Sequence, residues 1–262
     1  RIEDVMVFVN VEELNTGHMD EAEQDTWLAL LGRIKPLLDA RGITLSVNHW
    51  HSLMHADLGK RFRADQPFRA MVDPDGNAAA LCVCPLDEAW RAYIARIYAR
   101  YAALSPDTVW VEDDFRYHNH DPLHWGGCFC AEHMRRFSAR AGESLTQEAF
   151  VAGLLAPGEP SRYREIWLDE CREGLEGAAS AIEQAVHAVD PAVKIGLMSS
   201  VPYVHSAEGR NWKSLLSALG GEADPPVSRI HLPAYQELVP WKYLQAFHMV
   251  SCVNRALLAP ET

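Results

Sequence analysis

Residues 108–133, TVWVEDDFRYHNHDPLHWGGCFCAEH, decide the interpretation of this sequence. The stretch opens with the apolar run 109–111 and then changes to three consecutive acids at 112–114, followed by Phe115 and Arg116. An apolar run that ends in carboxylates is typical of a buried strand that delivers acids to a pocket. Burial and mutual repulsion raise the pKa of one carboxyl group in such a cluster, while a neighbouring arginine lowers the pKa of another. The stretch therefore predicts a site that holds a proton donor beside an ionised carboxylate, with an acidic surface turn as the alternative.

Strands and helices alternate on both sides of this stretch. Hydrophobic periodicity predicts helices at 21–40, 87–104, 131–141, 161–189, 212–219 and 244–258. Short apolar runs predict strands at 5–9, 43–47, 80–84, 109–111, 194–198 and 229–232. Polar or aromatic residues follow most of these strands, among them Asn10, Asn48, Cys84 and Tyr235.

This alternation indicates parallel βα units and predicts an α/β fold, a (β/α)8 TIM-type barrel whose site lies at the carboxyl ends of the strands. A doubly wound nucleotide-binding sheet is disfavoured because the chain has no glycine-rich phosphate motif. Only six of the eight units needed to close a barrel are found in the sequence. We therefore expect residues 1–262 to form a single barrel domain that is truncated at its C-terminal end.

Composition narrows the choice of partners. The net charge of −12 argues against a nucleic-acid or anionic-membrane partner. No apolar run approaches the roughly 18 residues of a membrane span, and no signal peptide is visible. Six cysteines are too few for a disulfide scaffold, so we expect a cytoplasmic protein. The oligomeric state stays open, with a homo-oligomer as one option.

The segment 84–150 resembles glycoside hydrolase family 42, the β-galactosidases with a (β/α)8 barrel. A Cys84-Pro85 pair opens a helix that leads into the acidic strand, and residues 110–114 stand where the family has its Trp-Gln-x-x-Asn-Glu strand. The sequence Cys-Phe-Cys-Ala-Glu-His at 128–133 resembles the family's Cys-x-Cys-x-x-Cys. Two departures are that Asp113-Asp114 replaces Asn-Glu and that the third cysteine is replaced by histidine.

The resemblance implies glycoside hydrolysis by two carboxyl groups, with a carbohydrate substrate and no cofactor for catalysis. It assigns Asp114 as the acid/base and puts Asp113 in the place of the substrate-holding asparagine. Strand alternation makes Glu112 the rival acid if the strand stays regular, because Glu112 and Asp114 would then share a face. Arg116 is expected to hold one of its neighbours ionised. In this clan the nucleophile is a glutamate after the seventh strand, so we expect it beyond residue 262.

Further polar and aromatic residues are candidates for substrate binding: Asn48, His49, His51, His118, His120, Trp125 and Tyr235. Asn48 and the two histidines near it follow the second strand, where the clan binds sugar hydroxyls. The histidines also suit a metal ion, so a metal-dependent hydrolase is an alternative function. A carbohydrate-binding barrel without catalysis is the other alternative.

Cys84, Cys128, Cys130 and His133 form a candidate zinc set. Three thiolates and one imidazole complete a tetrahedral structural site and leave no position for substrate. Cys82 is a spare ligand in place of Cys84. The alternative is a group of unligated thiols buried under the loop that follows the acids.

Overall fold

The computed structural model describes residues 1–11, 14–117, 121–124, 126–199, 205–221 and 226–230, together with 247–248, 251–252 and 255. In chain order the strands are β1 (Asp4–Val9), β2 (Thr44–His49), β3 (Ala70–Val72), β4 (Ala78–Val83), β5 (Thr108–Val111), β6 (Lys194–Ser199) and β7 (Val227–Ile230). The helices are α1 (Glu21–Asp39), α2 (Glu88–Ala102), α3 (Ala131–Ala141), α4 (Gln147–Leu154), α5 (Arg162–Val189) and α6 (Trp212–Gly220).

Five strands form one parallel sheet in the order β1-β2-β5-β6-β7. Helices occupy the connections between them: α1 joins β1 to β2, α2 precedes β5, α3 to α5 precede β6, and α6 precedes β7. This is the α/β fold of alternating units that the sequence predicts. In the described residues the sheet is open, with β1 and β7 at its two edges.

The strand predicted at 80–84 exists, but it does not belong to the parallel sheet. It is β4, which pairs antiparallel with β3 in a separate two-stranded sheet. The carboxylate of Asp73 closes the turn between the two strands by accepting the N–H groups of Asp75 and Asn77. The expectation of six successive barrel strands is therefore wrong for the described residues, which contain five parallel strands. The predicted helix at 244–258 lies largely outside the described residues.

The two faces of the parallel sheet have different surroundings. Apolar side chains on one face, such as Val47, Val109 and Leu197, are fully buried in the core. Apolar and aromatic residues at helical spacing in α2 are buried: Trp90, Ile94, Ile97, Tyr98 and Tyr101. On the opposite face the Trp110 ring covers Gly196, where an added Cβ would come within 2.5 Å of the ring. A larger residue than glycine would therefore displace the Trp110 side chain that precedes the acids.

Side chains at the helix ends satisfy backbone groups that the helices leave unpaired. Asp20 and Glu23 form a reciprocal capping box at the start of α1, and the Asp87 carboxylate accepts the Trp90 N–H at the start of α2. Gly142, with φ 71°, adopts the left-handed conformation that ends α3. No helix in the described ranges is both long and apolar enough to span a bilayer.

Candidate active site

The candidate active site lies where β2, β5 and β6 end. Asn48 Nδ2 donates to Glu112 Oε2 at 2.5 Å and lies 3.4 Å from the sulfur of Met198. Glu112 is 5% exposed, and burial raises the pKa of its carboxyl group against the opposing effect of the Asn48 hydrogen bond. Glu112 therefore keeps its proton to a higher pH than an exposed glutamate does.

Asp114 points instead into the loop that follows β2. Its Oδ1 accepts the Ser52 hydroxyl at 2.6 Å, and its Oδ2 accepts the Met54 N–H at 2.7 Å. Met54 has φ 82°, a left-handed conformation that is unfavourable for a residue with a side chain, and the hydrogen bond to Asp114 helps to hold it. Asp114 is 1% exposed, and burial raises its pKa to about 7. Both of its oxygens are thus occupied by the protein itself.

The acidic turn breaks the alternation of the strand. β5 ends at Val111, and the N–H groups of Phe115 and Arg116 then bond back to the carbonyls of Glu112 and Asp114 at 3.0 and 2.8 Å. The strand therefore does not stay regular through the acids. Glu112 and Asp114 therefore do not share a strand face: Glu112 contacts Asn48 of β2, whereas Asp114 contacts the loop beyond it.

Asp113 lies between two buried arginines. Arg116 Nη1 is 2.5 Å from Asp113 Oδ2, and Arg210 Nη1 is 3.7 Å from Asp113 Oδ1. Burial lowers the pKa of the Arg210 guanidinium to about 10, so Arg210 is cationic at neutral pH. In the same loop after β6, His205 Nδ1 lies 3.2 Å from Glu208 Oε2. The sequence carries no motif that marks Arg210, whereas Arg116 is found in its predicted place beside an acid.

The two predicted histidines after β2 are buried. His49 Nδ1 lies 3.1 Å from the Tyr101 hydroxyl, so its ring packs between the sheet and α2. His51 is 1% exposed, and its ring contacts the rings of Trp50 and His55. Neither histidine belongs to a group of ligand atoms suited to a metal ion within the described ranges. The remaining predicted residues, His118, His120, Trp125 and Tyr235, lie outside the described residues.

A second cluster consists of Cys84, Cys128, Cys130 and His133, all buried, with their ligand atoms within 4.8 Å of one another. His133 Nδ1 lies 3.4 Å from the sulfurs of both Cys84 and Cys130, which are 3.6 Å apart. The predicted set thus converges in space. Cys84 comes from the end of the β3–β4 hairpin and not from a neighbouring barrel strand, and Cys82 faces a backbone carbonyl elsewhere.

These distances fit a tetrahedral metal site. Bonds of about 2.3 Å to sulfur and about 2.0 Å to nitrogen separate two sulfur ligands by about 3.8 Å, and sulfur from nitrogen by about 3.5 Å. The observed separations of 3.6 and 3.4 Å are close to both values. A disulfide needs sulfurs about 2.05 Å apart, and all three cysteines are free thiols. The cluster is therefore suited to a structural metal ion such as zinc.

Solved structures with a similar fold are glycoside hydrolases. The β-galactosidase from Bacillus circulans sp. alkalophilus matches with a TM-score of 0.59 at 14% identity, over 98% of this chain and 39% of that one. The β-galactosidase from Halorubrum lacusprofundi matches with a TM-score of 0.55 at 14% identity, over 92% of this chain and 38% of that one. The catalytic domain of β-amylase from Paenibacillus polymyxa matches with a TM-score of 0.54 at 13% identity, over 96% of this chain and 76% of that one. No protein-family model and no curated protein sequence matches this chain.

At these identities the similarity shows the fold, which is that of TIM-barrel glycosidase domains. The expected resemblance to β-galactosidases is thus supported at the level of fold. The chain spans less than two fifths of each of the two β-galactosidases and about three quarters of the β-amylase domain.

Proposed function

We propose that this chain carries part of the active site of a glycoside hydrolase that acts on a carbohydrate through carboxyl groups. The observation that carries the proposal is the Asn48–Glu112 pair at the carboxyl ends of adjacent parallel strands, in the fold of glycosidase domains. Active sites of β/α barrels lie at that end of the sheet. A buried glutamic acid with a raised pKa is the kind of group that protonates a glycosidic oxygen.

The hydrogen bonds of the acidic turn favour Glu112 over Asp114 as the proton donor. One of its oxygens accepts the Asn48 amide, which orients the carboxyl group. Asp114, the acid that the family resemblance favours, has both oxygens bound by Ser52 and Met54. We therefore assign Asp114 a positioning role: it holds the loop after β2 in place beside the site.

Asp113 supplies a fixed negative charge beside the proton donor. Its carboxylate forms ion pairs with Arg116 and Arg210. A hydrolase of this type needs a second carboxyl group on the other side of the glycosidic bond. The resemblance assigns that role to a glutamate after a later strand, outside the described residues.

Zinc is the proposed structural metal of the Cys84, Cys128, Cys130 and His133 cluster. Three thiolates and one imidazole match the ligands that zinc prefers in closed sites, and they leave no position for a substrate or a catalytic water. The ion would add conformational stability at the cluster and take no part in hydrolysis.

The test compares glycosides with good and poor leaving groups. A general acid assists departure of the leaving group, so Glu112→Gln should lose about 100-fold or more in rate on a phenyl or alkyl glycoside. On a dinitrophenyl glycoside, whose leaving group departs without protonation, the loss should be much smaller. The assay measures initial rates of hydrolysis for both kinds of glycoside, the phenyl or alkyl and the dinitrophenyl. Each kind is prepared with a panel of different sugars, because the sugar that the protein recognises is unknown.

Two companion variants separate the assignments. Asp114→Asn should lower stability and affect both substrate series equally, and the exposed Glu159→Gln should match the wild-type protein. A leaving-group-dependent loss in Asp114→Asn, with Glu112→Gln unaffected, would transfer the role of acid to Asp114. These assays use a protein that also carries the second carboxyl group. Saturable sugar binding by that protein without hydrolysis of any glycoside would contradict the proposal and indicate a binding barrel.

A further inference from the structure

Tyr117 lies between the Cys/His cluster and α5. Its side chain is 1% exposed, and its hydroxyl is 3.1 Å from Nε2 of His133. The two rings meet edge to face with centroids 5.7 Å apart. The thiols of the cluster face the other ring nitrogen, Nδ1. One imidazole therefore has its two nitrogens in two different environments, one of sulfur and one of a phenol hydroxyl.

The Tyr117 hydroxyl is also fixed from the side of α5. The buried thiol of Cys171, on α5, neighbours it. The backbone of α5 approaches so closely at Gly174 that an added Cβ would lie 2.6 Å from the hydroxyl oxygen. Neighbours on α5 and on α3 thus determine the position of this oxygen, and a buried phenol held in this way is an oriented hydrogen-bonding partner.

We propose that Tyr117 orients His133 as a metal ligand and joins the metal centre to the acidic turn; this inference depends on the proposed metal site. When Nδ1 offers its lone pair to a metal ion, Nε2 must carry the ring hydrogen. The Nε2–H group then donates to the Tyr117 oxygen, which leaves the Tyr117 O–H group to donate on the side of Cys171. The Nε2–H group has a fixed acceptor in this arrangement, so the arrangement favours the ring form that binds metal through Nδ1.

The connection to the acidic turn is covalent and short. Tyr117 follows Arg116, which holds Asp113 by both its carboxylate and its carbonyl oxygen. A metal ion that fixes His133 therefore also fixes the end of the segment that carries Glu112. Such partners of metal-bound histidines typically contribute about 10–100-fold to metal affinity.

The test measures zinc affinity directly by competition with a chromophoric chelator. Tyr117→Phe keeps the ring and removes the hydroxyl, so it should bind zinc about 10–100-fold more weakly than the wild-type protein. Tyr98→Phe is the matched control. It removes the hydroxyl of another buried tyrosine, on α2, and this hydroxyl donates to the Trp110 carbonyl of β5. Zinc affinity should not change in this control.

A second comparison tests whether the effect passes through the imidazole. In a His133→Cys background the ligand has no second ring nitrogen, so adding Tyr117→Phe should leave the zinc affinity unchanged. An equal loss in both backgrounds would overturn the inference, since it would indicate a general effect on folding. Unchanged affinity in Tyr117→Phe alone would overturn it as well. A wild-type protein that binds no zinc would overturn the metal site itself, and none of these outcomes depends on glycoside hydrolysis.

Discussion

Three histidines near the ends of β1 and β2 are buried, and we expect them to make the protein sensitive to acid. His18, His49 and His51 are each 1% exposed. Burial lowers their pKa values to about 4, about 3 and about 2 respectively. His18 bonds the Leu81 carbonyl, and within the described ranges the ring nitrogens of His51 have no hydrogen-bond partner. His51 is the best site for a perturbation, because replacing it breaks no hydrogen bond among these residues.

The sign of the effect follows from proton uptake. In the unfolded chain a histidine takes up its proton near the ordinary pKa of about 6.5, whereas these three stay neutral in the folded state well below that pH. The unfolded state therefore binds more protons as the pH falls below about 6.5, and stability falls with it. The stability that the three neutral histidines contribute is fully present above their pKa in the unfolded chain, about 6.5, and is lost progressively at lower pH.

The magnitude follows from the same linkage. Between about pH 6.5 and about pH 5 one such histidine removes about 1.6 kcal/mol, and the three together remove about 5 kcal/mol. Asp114 acts in the opposite direction, because its raised pKa of about 7 lets the folded state take up a proton first. Protonation of Asp114 stabilises the folded state by about 2 kcal/mol between about pH 6.5 and about pH 5, so the net loss in the free energy of unfolding is about 3 kcal/mol. The raised pKa of Glu112 acts in the same direction as that of Asp114.

The assay is urea unfolding of the wild-type protein and of His51→Phe at both pH values. The variant should lose about 1.6 kcal/mol less than the wild-type protein on acidification. A constant effect of the larger ring on packing cancels in this difference. The exposed His124, whose pKa is raised by Asp75, titrates in the opposite sense, so His124→Gln should not reduce the acid loss. Equal acid losses in the wild-type protein and His51→Phe would refute the reasoning.

Three further predictions address the fold and the metal cluster. Gly174→Ala should cost about 1–3 kcal/mol in urea unfolding, since the new methyl would meet the Tyr117 hydroxyl at 2.6 Å. Gly177→Ala on the same helix, where the methyl meets the guanidinium of Arg91 at 3.0 Å, should cost less than Gly174→Ala; equal losses would contradict the packing argument. Asp57→Ala should cost about 1–3 kcal/mol because Asp57 accepts three consecutive backbone N–H groups of β4, and an unchanged unfolding curve would contradict this. Cys128→Ser should lower the zinc content of protein purified without chelator, and wild-type zinc content in the variant would exclude Cys128 as a ligand.

Local pattern was sufficient to predict much of the architecture. The spacing of apolar residues located α2, α3 and β5 to within a few residues, because helices and buried strands have fixed periods that the sequence repeats. The Cys/His cluster was also predicted, since Cys128, Cys130 and His133 lie within one loop and helical turn and thiols of this spacing suit one ion. The acids were located at a strand end for the same local reason, by the change from apolar to charged residues.

Only the tertiary structure decided where these elements lie and which side chains meet. The apolar run of β4 has the same pattern in a hairpin as in a barrel, so its pairing with β3 could not be predicted from its residues. The turn after Val111 directs Asp114 to Ser52 and leaves Glu112 with Asn48, a choice made by hydrogen bonds to another segment. Arg210 reaches Asp113 from a loop distant in the sequence. Contacts of this kind depend on the assembled sheet, because they join residues that no local period relates.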